Sequence, residues 1–193
     1  MLPIASPNGR YIAVVGPLPQ YGRAAGGNLL IYDLQKKTWA EFGPVVIHPD
    51  ANWDYVKPSW DPWFADSSHL VYATETALFV STPDGSEKRM ILKLDGPHGL
   101  PVPSPDGKVV AFATFQSRPM NVRPDLMFWG DSTIWVTPIS PNSTAKTVTY
   151  RNPDTTYDLR WLDSRTLVFD RIGDVVKYSD FQNYRLWKAE LPD

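Results

Sequence analysis

There is no cysteine in this chain, which removes disulfides, thiolate nucleophiles and cysteine-ligated zinc together. That absence leaves the compartment open, because cysteine-free proteins occur in reducing and oxidising surroundings alike. No apolar run approaches the roughly 18–20 residues of a membrane helix, so no membrane insertion is expected. No stripe of one charge sign is present either. Lys and Arg number 19 against 21 Asp and Glu, a formal net charge of −2, so a nucleic-acid partner is not expected. The start, Met1-Leu2-Pro3-Ile4-Ala5, lacks the basic and long apolar regions of a signal peptide. On that reading the protein is cytoplasmic, or the chain is a mature or trimmed piece. Helical periodicity is missing too, and 19 prolines oppose a long helix. Gly-x-Ser-x-Gly, Walker, Gly-x-Gly-x-x-Gly and His-Glu-x-x-His motifs do not occur, so no catalytic residue and no cofactor is expected.

What is present is a repeat. Leu100-Pro101-Val102-Pro103-Ser104-Pro105-Asp106-Gly107-Lys108-Val109-Val110-Ala111-Phe112 is a short strand, a tight turn and a second strand of small and β-branched residues. Proline fixes φ at the first corner of the turn, and glycine takes the positive φ near its end. Leu2 to Val14 is nearly a copy, with Ser6-Pro7-Asn8-Gly9 at the turn. Phe64 to Tyr72 and Trp161 to Phe169 are degenerate copies, in which Ser67 and Ser164 stand for the turn glycine. The interval from Ser67 to Gly107 matches the roughly 40–45 residues of a four-stranded propeller blade, and the two flanking intervals are longer by roughly 15–20 residues. Each turn is followed by an apolar-aromatic strand: Leu29 to Asp33, Ala77 to Ser81, Ile134 to Thr137 and Leu186 to Ala189. Three of these run through a polar turn into an outer strand.

The chain therefore reads as an all-β fold, one β-propeller domain over residues 1–193. It is built of four-stranded antiparallel blades near 1–43, 58–94, 100–150 and 157–193. The last blade lacks its outer strand, so the chain is expected to be a partial propeller or a compact four-bladed one. Ser104-Pro105-Asp106-Gly107-Lys108 followed by Val109-Val110-Ala111-Phe112 resembles the repeat of TolB-like β-propellers. That repeat also builds the N-terminal propellers of prolyl-oligopeptidase-type enzymes. The resemblance implies a periplasmic or otherwise extracytoplasmic address and recognition through loops and a central channel. It brings no active site, since the hydrolase domain of those enzymes is absent.

In such blades the A–B and C–D turns share one face and the B–C and D–A connections share the other. The long segments Pro17–Asn28, Gly43–Pro58, Gln116–Ser132 and Arg171–Asn183 all fall on the second face, where binding residues concentrate. The ligand-binding candidates are Tyr21, Arg23, His48, Asp50, Trp53, Arg118, Arg123, Trp129 and Arg171. Arginine forks beside aromatic rings suit carboxylates, sugars or a peptide terminus. His48, Asp50 and Asp54, with His98 from the next connection, also have the residue types of a metal shell. They equally fit ordinary polar turns, and Phe128 with Trp129 equally fit a clasp that folds a loop on its own blade. Trp39, Trp135, Trp161 and Trp187 lie in strand text, where core packing is expected, leaving Trp53 and Trp129 as exposed platforms. The function expected is a non-catalytic module binding a protein, peptide or glycan. The alternative is the propeller portion of a larger hydrolase or a metal-dependent lyase. Pairing of two copies, or the remainder of a larger propeller, would complete the ring.

Overall fold

The computed structural model describes residues 3–17, 26–46, 60–119, 127–141, 143–152, 159–172 and 184–191. No helix occurs among them; the strands form four antiparallel sheets. The first sheet holds β1 (Ile4–Ala5), β2 (Tyr11–Pro17), β3 (Gly26–Asp33) and β4 (Thr38–Val46) in chain order. The second holds β5 (Leu70–Thr74), β6 (Ala77–Ser81) and β7 (Lys88–Lys93). The third holds β8 (Val102–Pro103), β9 (Val109–Pro119), β10 (Met127–Pro138) and β11 (Lys146–Asn152). The fourth holds β12 (Leu159–Trp161), β13 (Thr166–Ile172) and β14 (Tyr184–Glu190). The innermost strand expected in the second sheet shrinks to one bridge, Trp63 to Leu70. Pro62 has no N–H to extend it, although its carbonyl accepts the Val71 N–H at 2.9 Å.

Side chains alternate across a strand, so every sheet has two faces to bury. Three cores do this, one between each pair of successive sheets. Ala13, Leu29 and Ile31 of the first sheet meet Leu70 and Tyr72 of the second. Val71, Leu78 and Val80 of the second meet Val110 and Phe112 of the third. Ala111, Ile134 and Val136 of the third meet Leu167 and Phe169 of the fourth. Middle sheets are apolar on both faces, and β5 (Leu-Val-Tyr-Ala-Thr) is buried at every position but its last. Each such side chain contributes about 1.5–3 kcal/mol when taken from water.

Indole N–H groups tie neighbouring inner strands together. Trp63 Nε1 donates to the Ile4 carbonyl at 3.2 Å, and Trp161 Nε1 to the Val102 carbonyl at 3.1 Å. Trp60 and Trp63 both pack in the first core. Two tryptophans assigned to cores by their strand text do not lie in one: Trp39 is 59% and Trp187 43% exposed. Both stand in the terminal sheets.

The turns differ in one respect from the sequence reading. Gly9, Ser67 and Gly107 have φ of 70°, 60° and 68°, and each N–H bonds the carbonyl three residues back, in Ser6, Phe64 and Ser104. Ser164 has no positive φ. Its turn is one residue shorter: Trp161 pairs with Leu167, whereas Trp63 bridges Leu70 and Pro103 pairs with Val110. Asp163 closes that shorter turn by accepting the N–H groups of Arg165 at 2.7 Å and Thr166 at 2.8 Å.

Two substitutions test this packing. A Cβ at Gly107 would sit 3.3 Å from Phe64 Cδ1 at a positive φ, so Gly107→Ala should lower unfolding free energy by about 1–2 kcal/mol. The Tyr72 hydroxyl is buried with no hydrogen-bond partner. Tyr72→Phe should therefore leave stability unchanged or raise it by about 1 kcal/mol. Urea unfolding reads both, and a large loss in Tyr72→Phe would show that the hydroxyl is satisfied in solution.

Candidate functional site

At the turn end of the sheets, short polar motifs bond to themselves. The Ser104 hydroxyl donates to Asp106 Oδ1 at 2.7 Å and accepts the Val109 N–H at 3.1 Å. Ser6 does the same with Asn8 at 2.8 Å and Tyr11 at 2.9 Å. The C–D turn Thr82-Pro83-Asp84-Gly85 repeats the chemistry: Thr82 Oγ1 donates to Asp84 Oδ1 at 2.8 Å, and Gly85 has a φ of 72°. Donors crowded on a carboxylate favour its charged form. The Ser86 hydroxyl, the Ser86 N–H and Thr82 hold Asp84 at about 2. The Arg10 guanidinium, 2.8 Å from Asp33, with the Lys36 and Gln35 N–H groups, holds Asp33 at about 2. Asp66, Asp106 and Asp163 are lowered by the same kind of local donor.

A cleft of about 400 Å³ opens at this end between the second and third sheets. Phe64 and Ile139 contribute apolar wall, and Asp66, His69, Arg89 and Asp106 contribute polar groups. Ser68 Oγ lies 2.7 Å from Asp66 Oδ1 and 2.7 Å from His69 Nδ1. An ionised carboxylate only accepts, so the single hydroxyl proton goes to Asp66 and His69 must donate from Nδ1. The Ser, His and Asp types of a triad are present, but with the opposite polarity to one. His69 gives a proton to the serine oxygen rather than taking one. Arg89 Nη2 donates to the Ile139 carbonyl at 2.9 Å and braces the cleft across the two sheets. Turn chemistry on separate blades builds this cleft, and nothing in a single stretch of sequence announces it.

Of the expected binding residues, Arg118, Trp129 and Arg171 fall among the described residues, in strands that run toward the opposite end. Gln116–Ser132, read from sequence as a loop, is largely a hairpin. β9 and β10 pair from Val109↔Pro138 out to Pro119↔Met127. Pairing of β10 with β11 stops at Ser132↔Asn152, so among the described residues Gln116–Pro119 and Met127–Gly130 pair only with each other. This arm is about 13 Å long at the usual rise per residue. Arg118 pairs in register with Phe128, and Trp129 with Ser117. Arg171 likewise falls in a strand, paired with Arg185 in the β13–β14 hairpin, which runs beyond β12. β2 and β3 extend their pairing to Pro17↔Gly27 in the same direction. Tyr21, Arg23, His48, Asp50, Trp53, Asp54 and Arg123 lie outside the described residues.

His98, offered above as a metal ligand, is 2% exposed. Its Nε2 lies 2.9 Å from the Thr74 carbonyl oxygen and its Nδ1 3.3 Å from that of Gly99. Burial lowers its pKa, so the ring is neutral and donates from Nε2. It clamps the β5–β6 turn to the connection that leads into the third sheet. Its nitrogens face backbone oxygen, which leaves the metal reading with His48 and Asp50. Among the described residues no group of three or more His, Asp or Glu side chains is placed to hold a metal.

Comparison with known proteins gives fold and no family. No family model matches the sequence, and no curated protein does. Solved structures match across nearly the whole chain. The tricorn protease superposes with a TM-score of 0.64 at 11% identity, over 98% of this chain and 21% of that one. TolB from Acinetobacter baumannii gives 0.56 at 19%, over 96% and 40%. Porphyromonas gingivalis dipeptidyl peptidase 4 gives 0.55 at 12%, over 97% and 30%. The chain has a β-propeller fold, TolB-like as its repeat indicates. It spans between a fifth and two fifths of the length of these proteins.

The crowded carboxylates set an acid limit. Asp33 and Asp84 have folded pKa values below the unfolded value of about 3.9. Their contribution is complete above pH 4 and is lost as pH falls from about 4 to about 2. Asn8 fills the equivalent turn position without charge, so Asp84→Asn should keep the turn and weaken this dependence. Urea midpoints at pH 7 and pH 2.5, compared between parent and variant, check it.

Proposed function

We propose that the chain is a recognition module that holds a protein, peptide or glycan at the end where the hairpins project. The observation that carries the proposal is the β9–β10 arm, whose outer residue pairs have no neighbouring strand among the described residues. Regular antiparallel pairing gives the arm a defined backbone, and it carries Arg118 and Trp129, with Arg123 in its connection. Arginine and tryptophan supply bidentate donors and flat apolar area, the residue types that dominate binding energy at interfaces. Arg171 on β13 belongs to the same end, and Tyr21, Arg23, His48, Asp50 and Trp53 remain candidates from the sequence, outside the described residues. The cleft at the turn end is too committed to its own hydrogen bonds to be the first choice.

A second reading makes the chain the propeller portion of a larger hydrolase. What favours it is the match over nearly the full chain to the tricorn protease and to dipeptidyl peptidase 4, of which it spans 21% and 30%. The coding DNA on either side of these residues separates the readings, since a frame running on into a Gly-x-Ser-x-Gly elbow favours the hydrolase.

For the first reading, peptide and glycan arrays supply the ligand. Arg123→Ala and Trp129→Ala should each weaken binding of whatever is retained by about 10-fold or more, with unchanged urea midpoints. Undiminished binding in both variants would move the site off the arm.

A further inference from the structure

Asn8-Gly9, in the first A–B turn, is the one Asn-Gly step in the chain. An asparagine before glycine is open to a reaction that needs only water. The Gly9 backbone nitrogen, once a solvent base takes its proton, attacks Asn8 Cγ. The N–Cγ bond forms, the Cγ–Nδ2 bond breaks, and Nδ2 takes up a proton and leaves as ammonia. Water then opens the five-membered imide at either carbonyl, giving aspartate or isoaspartate, with nothing oxidised or reduced. Glycine favours the attack because it has no Cβ to hinder the approach. Asp84-Gly85 and Asp106-Gly107 have the same place in their turns, but an ionised carboxylate is a poor target for an electron-rich nitrogen. The Asn8 amide is uncharged and lacks that protection.

Its turn supplies another. The Gly9 N–H donates to the Ser6 carbonyl at 2.8 Å, Pro7 fixes the first corner, and Asn8 has no positive φ. Those features define a type I turn, in which ψ at the second corner is about 0°. The imide ring contains Cβ, Cα, the carbonyl carbon and the next nitrogen, so it closes only with the torsion through those atoms near zero. At a ψ of about 0° that torsion is about 120°, by tetrahedral geometry at Cα. Ring closure must therefore swing the Gly9 N–H off the Ser6 carbonyl. The Asn8 side chain and backbone are held as well. Oδ1 accepts the Ser6 hydroxyl at 2.8 Å and the Arg10 N–H at 3.0 Å, and the Asn8 N–H donates to Ser67 Oγ at 3.0 Å. Donors on Oδ1 would steady the charge that grows there during attack, but only with the nitrogen in reach, so the backbone geometry decides. We infer that Asn8 is a modification site kept silent by its turn, converted only in molecules whose first turn has opened. Opening also frees Asn8 from Ser67, so conversion marks a loosening of the first sheet from the second. Aspartate at position 8 recreates Ser-Pro-Asp-Gly, the turn that Ser104 Oγ and Asp106 Oδ1 close at 2.7 Å. Isoaspartate adds one atom to the main chain and does not fit that turn.

Folded chain and urea-unfolded chain, incubated at the same mildly alkaline pH, test this. The readout is the mass gain of an amide-to-acid change, assigned to residue 8 by peptide mapping, together with released ammonia. The folded chain should convert at least ~10-fold more slowly, because its rate scales with the fraction of molecules open at the turn. Ser6→Ala removes one donor to Asn8 Oδ1 and the acceptor of the Tyr11 N–H, a 2.9 Å bond. It should speed conversion of the folded chain about 5-fold and leave the unfolded rate unchanged, with circular dichroism confirming that the variant is folded. In the parent alone, conversion should quicken as urea is raised toward the unfolding midpoint, which tests the same gate without a substitution. A folded chain that converts as fast as the unfolded one, or faster, would overturn the inference. So would a folded Ser6→Ala variant that keeps the parent's rate, or a parent rate indifferent to urea below the midpoint.

Discussion

A sheet of three or four short strands has too little core to stand alone, and its two faces must both find cover. This constraint shapes the molecule more than any single bond. It explains why β5 and β6 are apolar up to their last residues, Thr74 and Ser81: their sheet is packed on both sides. β3, in the first sheet, alternates instead, with Leu29 and Ile31 buried and Leu30 and Tyr32 partly exposed. Burial on one or both sides is thus written into the strands as alternation or its absence. The cost of stacking sheets through side chains alone is weak directional control, and the indole bonds from Trp63 and Trp161 to neighbouring inner strands supply some of it. The Asn8 N–H to Ser67 Oγ bond, 3.0 Å, does the same between the turns of the first two sheets.

Much of the fold was legible because its turns are chemically demanding. A positive φ three residues after a hydroxyl leaves few solutions, and Ser-Pro-Asp-Gly and Ser-Pro-Asn-Gly are two of them. The C–D turn at Thr82-Pro83-Asp84-Gly85 obeys the same rule. The fourth copy misled for a physical reason: one residue was lost, the positive φ went with it, and Asp163 took over by bonding two N–H groups directly. Text similarity between Ser67 and Ser164 survives where the conformation does not.

The site was harder to read. Gln116–Ser132 contains Pro, Arg and Gly in place of a clean apolar alternation, and a strand without that alternation lacks the period-two signature by which strands are recognised, so its text reads as a loop. The tryptophans erred in the other direction. Trp39 stands on the uncovered face of the first sheet, and only the order of the sheets tells that this copy is terminal; Trp187 pairs with Phe169 on the face toward the third sheet and is still 43% exposed. The cleft between the second and third sheets was invisible for a third reason, since Asp66, His69, Arg89 and Asp106 come from three separate turns and strands.

The two ends of the sheets are under opposite demands. At the turn end, the carboxylates that could meet a ligand are already engaged: Asp84 with Thr82 and Ser86, Asp106 with Ser104, Asp33 with Arg10. Recruiting any of them would unmake the turn that positions it, at about 1 kcal/mol or more for each hydrogen bond given up. At the other end, β9 and β10 are tied to each other by backbone pairing out to Pro119↔Met127. On the proposed reading, rigidity and recognition divide between the ends of the same strands, and β9 and β10 serve both, packed at Phe112 and Ile134 and running on to Arg118 and Trp129.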